Sequence, residues 1–242
     1  MAIETEPRAA PSVAPPLAPL VHTAALVGLI LAVAITGTLL QRAGAPEIEA
    51  SSAAGASSAI SRIWGQYLPL LLVNGLLVLY VARLFRARNV LSQLVGRRWR
   101  GPADALVDLL YASLAFALIV ALDALTRPLF AGRNAAVSAL LPSTEAERLT
   151  WLLVASSVGF CEEVVYRGYL QTQLSAFTRS ALLGLLLQAA LFGLAHLEQG
   201  AGAALRIAVY GLVFGALARH RGSLLPGIAC HIGIDLASGL LG

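Results

Sequence analysis

Apolar positions in this chain come in long runs interrupted by short polar stretches, and they lack the alternation that would give a soluble fold one wet face. About 20 consecutive apolar residues suffice to cross a bilayer as a helix. On that basis seven spans are expected, at about 20–40, 63–85, 105–125, 149–177, 181–198, 203–218 and 223–241. The fold class follows as all-α, a polytopic transmembrane helical bundle of about seven spans, because only helices satisfy every backbone polar group within one segment in lipid. Residues 1–19 differ from the rest. They hold five prolines and almost no large apolar side chains, so they cannot repay the entropy of ordering and are expected to form a disordered tail. The first run lacks the charged start and short apolar core of a secretory signal and reads as a retained span. Residues 41–62, rich in Ala, Ser and Gly, read as a polar loop, with Trp64 and Tyr67 as interfacial anchors at the start of the second span.

Composition reinforces the membrane reading. Of 242 residues, 58% are hydrophobic and 12% charged, with a mean hydropathy of +0.77, which leaves little chain for a separate soluble domain. The chain is one domain with three parts: the tail 1–19, N-terminal helices and loops over 20–147, and a helical core over 148–242. The net charge of +4 does not indicate nucleic acid, because the basic residues are scattered between apolar runs. They read as topology signals. Arg83, Arg86, Arg88, Arg97, Arg98 and Arg100 share one segment with no acidic residue, which the positive-inside rule places in the cytoplasm. The N-terminus is then cytoplasmic and the C-terminus outside, with 127–148 an external segment that includes a short interfacial helix. Cys161 and Cys230 both sit inside apolar runs and read as small apolar residues, neither a disulfide framework nor metal ligands.

Ionisable residues inside membrane helices cost at least about 2.5 kcal/mol at the bilayer centre, so they persist where they have partners and a role. Here they cluster late. Glu162, Glu163 and Arg167 lie in the fourth span, His196 in the fifth, and His231 and Asp235 in the seventh. Glu163 precedes Arg167 by four residues, the favourable order for a helical ion pair, which marks Glu163 as a structural partner. Glu162 points about 100° away from Glu163 on an ideal helix and has no local cation. His231 and Asp235 share a face, as do Phe192 and His196. Glu198 and His220, near span ends, read as solvated. Asp108 and Asp123, at the ends of the third span, read as interfacial, and the Gly211/Gly215 pair reads as a helix-packing surface.

The ordered motifs Glu162-Glu163-x-x-x-Arg167, Phe192-x-x-x-His196 and His231-x-x-x-Asp235 resemble those of the CPBP family, which includes the CAAX-processing Ras-converting endopeptidases and the Abi bacteriocin-immunity proteins. The resemblance covers about residues 148–242. It implies an intramembrane endopeptidase with Glu162 as the catalytic glutamate and His196, His231 and Asp235 as the other polar site positions. Its partners would be membrane lipid and a membrane-associated or C-terminally processed peptide or protein, in a bacterial inner or plasma membrane. The favoured chemistry uses no cofactor and a glutamate-activated water. The alternative is zinc held by His196, His231 and Asp235, although no His-Glu-x-x-His pair is present. Two other classes remain open on the residues alone: a non-catalytic immunity or interaction protein, and an ion-coupled transporter using the carboxylates as relays. Transporters usually carry internal repeats, whereas these polar positions crowd toward the C-terminal end.

Overall fold

The computed structural model describes residues 14–42, 55–86, 95–97, 99–129 and 140–241. Residues 1–13 of the expected tail, most of the 41–62 loop, residues 87–94 and 98 of the arginine-rich segment, and residues 130–139 of the expected external segment lie outside this range.

Seven helical rods and no strand occur among the described residues. In chain order, α1 is Leu20–Arg42 and α2 runs unbroken through Gly55–Arg62, Ile63–Tyr67 and Leu68–Arg86. Pro102–Thr126 forms α3, and α4 runs through Glu145–Glu162, Glu163–Leu170 and Gln171–Thr178. The last three are α5 (Ala181–Leu194), α6 (Ala201–Arg221) and α7 (Leu225–Leu241). Five of them are long and apolar enough to cross a membrane, whereas α5 and α7 are shorter. At 1.5 Å per residue, the 14 residues of α5 span only about 21 Å, less than a hydrocarbon core of about 30 Å. The fifth run therefore yields a shorter helix than its apolar length predicts, because the chain turns after Leu194.

Helix ends follow local chemistry. Thr144 caps α4 in a full capping box with Glu147, and Ser180 caps α5. Pro102 opens α3, where its missing N–H costs nothing, and Gly222 ends α6 in the left-handed region at φ 59°. Glu147, wholly buried, also pairs with Arg62 of α2 at 3.0 Å.

One expected surface role is corrected, and several residues near span ends have partners. Trp64 is exposed, but Tyr67 is fully buried, tilted against Trp151, with its hydroxyl donating to the Leu140 carbonyl. Asp108 is buried within the protein: Arg221 pairs with it at 2.7 Å and Trp99 Nε1 donates to it at 2.9 Å, tying α3 to the end of α6. Asp123 accepts from the Tyr210 hydroxyl and pairs with Arg127. The last residues of the expected tail are held in place: Gln173 donates to the Ala18 carbonyl and accepts from the Leu17 backbone. Gly211 and Gly215 face α5 and α4, and their carbonyls accept from Gln188 and Gln171.

Candidate active site

The α4 helix is the centre of the site. Its backbone widens over Glu163–Leu170 into π-helical turns, shown by the Gln171 N–H reaching the carbonyl of Tyr166 five residues back. Such turns are rare and concentrate at functional positions. Glu162 is the last residue before the widening and Glu163 the first within it, so the two neighbouring carboxylates project into different surroundings. Glu162 keeps 19% of its side-chain surface exposed, whereas Glu163 and Arg167 keep none.

Behind the site lies a sealed charged cluster. Arg167 approaches Glu163 at 3.0 Å as an ion pair, without hydrogen-bond alignment of its guanidinium nitrogens. The guanidinium sits 4.1 Å from the Phe192 ring centroid and 4.9 Å from that of Phe214, so two aromatic faces share its charge. Glu163 also accepts a hydrogen bond from His231 Nδ1 at 3.1 Å. Gly227 allows this: a Cβ there would lie 2.9 Å from the Glu163 carboxylate.

His231 is placed from three sides. Phe214 stacks on its ring at 4.9 Å and 17°, and Phe192 meets it edge-on at 6.0 Å. Its Nε2 faces Glu162 at 3.6 Å and Asp235 at 3.9 Å. Asp235 shares the α7 face with His231, and the Trp151 indole fixes that turn by donating to the Asp235 carbonyl at 2.9 Å. Gly159 lets α4 come this close to α7, since a Cβ there would meet the backbone nitrogen of Ile232 at 2.9 Å.

His196 differs from the helical placement expected for it. It lies just beyond α5, with φ −110° and ψ 21°, before a single 3-10 turn at Leu197–Gln199. Its Nδ1 donates to the Phe192 carbonyl at 2.8 Å, taking up one of the carbonyls that a helix end leaves open. That bond fixes the proton on Nδ1 and leaves Nε2 of the neutral ring as an acceptor.

Glu162, His196, His231 and Asp235 all line one cavity of about 490 Å³, which Glu163 and Arg167 do not reach. The remaining walls come from α1, α2, α6 and the aromatic side chains Tyr166, Phe192 and Phe214. Sequence reasoning missed Phe214, the contact of Glu163 with His231, and the anchoring by Trp151. No motif marks the first, and the other two depend on which helices meet. Both cysteines are buried and free. Among the described residues no group of three or more His, Cys, Asp or Glu side chains is placed to hold a metal ion.

Residues 144–237 match the family model for the type II CAAX prenyl endopeptidase Rce1-like proteins. The matched segment is Rce1-like. It begins at the cap of α4, ends within α7, and contains Glu162, His196, His231 and Asp235 of the cavity lining. No curated protein and no solved structure matches the chain. The Rce1-like match supports an enzyme of the CAAX-protease type, and the five long apolar helices make it an integral membrane protein.

Proposed function

We propose that the protein is an intramembrane endopeptidase that cleaves membrane-associated peptides with a water activated by Glu162. The observation that carries this reading is the division of labour between adjacent carboxylates. Glu162 lines the cavity beside both histidines, while Glu163 is sealed behind it with Arg167. A relay of the transporter type would use connected carboxylates along a path, and an immunity protein would need no such convergence.

In this mechanism Glu162 accepts a proton from water as the oxygen attacks the scissile carbonyl. His196 Nε2, an acceptor by virtue of its Nδ1 bond, orients that water through its other hydrogen. His231, held by Glu163 and Phe214, donates from Nε2 in its imidazolium form to the oxyanion that develops. Asp235 lies beside that nitrogen and balances its charge. On collapse the C–N bond breaks, Glu162 delivers the proton to the departing nitrogen, and the other product leaves as a carboxylic acid. The CAAX-type resemblance points to substrates processed near a C-terminus.

The decisive experiment compares new peptide termini in membranes from a deletion strain, the wild type and Glu162→Ala. Termini present only with the wild type identify substrates, whereas identical profiles would reject the peptidase. Cleavage by purified protein should survive thorough chelation. Zinc lost and restored together with activity would replace the glutamate route with a metal route. In the proposed topology a C-terminal reporter lies outside, and a cytoplasmic reporter would show that one of the short helices does not cross.

A further inference from the structure

The cavity has two unlike sides. Its reacting side is built from the Rce1-like segment, but another wall comes from α1 and α2, outside the match. That wall presents Ile30 and Val33 from α1, and Leu70, Asn74 and Leu77 from α2. Positions 70, 74 and 77 fall on one helix face. Asn74 is the one polar side chain among these five, and it is 7% exposed.

An amide in a membrane interior normally has both ends occupied or a role to perform. Asn74 satisfies one end locally. Its Nδ2 donates to the Leu70 carbonyl at 3.0 Å, and because a carbonyl can only accept, this bond fixes the orientation of the amide. Oδ1 is therefore the other end. Among the described residues it receives no hydrogen bond, and it is not among the sealed buried atoms, such as Gln171 Oε1 and Gln188 Oε1, that are closed off from any partner. Asn74 lines the cavity in an apolar wall, and its Oδ1 is a hydrogen-bond acceptor with no donor among the described residues. An extended peptide offers what that wall lacks: backbone N–H donors at regular spacing and apolar side chains beside them.

We propose that Asn74 is a substrate-binding residue whose Oδ1 accepts a hydrogen bond from a backbone N–H of the peptide, while Ile30, Val33, Leu70 and Leu77 pack against an adjacent apolar side chain. The inference rests on the peptidase reading and extends it: the helices outside the Rce1-like segment select the substrate, and the segment performs the chemistry. Substrates with a bulky apolar residue near the scissile bond are the class favoured.

The test uses short synthetic peptides with apolar central residues and matched depsipeptides, in which one backbone N–H at a time is replaced by an ester oxygen. For the wild type, an ester at one particular position should raise KM about five- to ten-fold, the loss of one net hydrogen bond. Asn74→Leu and Asn74→Ala should raise KM on the all-amide peptide by a similar factor, leave kcat and melting temperature near the wild-type values, and show no further loss on that same ester. Equal losses on amide and ester at every position would overturn the proposal, since Asn74 would then only shape the wall. A lowered melting temperature with unchanged KM would overturn it as well. Binding of the same peptides, labelled with a fluorophore, to Glu162→Gln separates this inference from the peptidase reading. Asn74-dependent, ester-sensitive binding without cleavage by the wild type would keep the peptide site and reject the enzyme. Neither binding nor cleavage would reject both.

Discussion

The α3 and α4 helices teach opposite lessons about what apolar sequence means in this molecule. By window hydropathy, Pro102–Thr126 is the most apolar of the five long helices, yet only 22% of its apolar window is buried inside the protein. Glu145–Thr178 is the least apolar of the five, yet 50% of its window is buried. In a water-soluble domain the order would be reversed, since burial there is driven by apolar surface leaving water. Lipid removes that drive. Apolar residues can face the chains of the bilayer, and the interior is held by close packing and by polar contacts. Leu106, Leu109, Leu110 and Leu114 of α3 accordingly point outward, while Glu163, Arg167, Gln171 and Gln173 of α4 are buried. Along α4, buried polar residues sit beside the apolar core.

The contrast is sharpest within α4 itself, where adjacent glutamates are expected to fail in different ways. Glu162→Gln should lower turnover at least ~100-fold, the lower end of general-base contributions, with melting temperature in detergent unchanged because its side chain faces the cavity. Glu163→Gln removes the counter-charge of a wholly buried Arg167 and alters the contact that orients His231. Breaking such a pair costs about 3 to 5 kcal/mol, so a clear drop in melting temperature and in membrane abundance should accompany its loss of activity. Adding Arg167→Gln in that background should recover part of the stability and none of the turnover, since the imidazole remains without its carboxylate. If Glu162→Gln melts early while Glu163→Gln is stable and inactive, the two roles are reversed.

Smaller effects probe the contact between α4 and α7. Trp151→Phe deletes the hydrogen bond to the Asp235 carbonyl and should cost about 1 kcal/mol. It should raise the sensitivity of turnover to temperature more than it changes binding. The smallest effect belongs to the lipid-facing side. Leu109→Ala, at a position 58% exposed, should shift stability by no more than about 0.5 kcal/mol. A large loss there, measured by detergent melting, would mean that α3 is covered by another protein surface.

Much of this was legible along the chain because it depends on short-range geometry. Apolar runs marked the helices, and the four-residue spacing paired Glu163 with Arg167 while turning Glu162 elsewhere. The end of α5 was not legible: apolar residues continue to Leu197, but the chain turns at Ala195, and the His196 ring, by bonding back to the Phe192 carbonyl, closes the helix. Asp108 likewise looked like an end-of-span residue until α6 brought Arg221 to it.

What the sequence determined by itself is whatever one helical period can fix: which residues share a face, which apolar segments form helices, and which carboxylate has a cation of its own. Tertiary structure alone decided that Glu163 also holds His231, that Phe214 stacks on that ring, and that α1 and α2 close the cavity with Asn74 in its wall. The physical reason is range. Those contacts join residues on different helices, whose meeting depends on small residues such as Gly159 and Gly227 allowing close approach. No periodicity within a single segment records which other segment will fill that space.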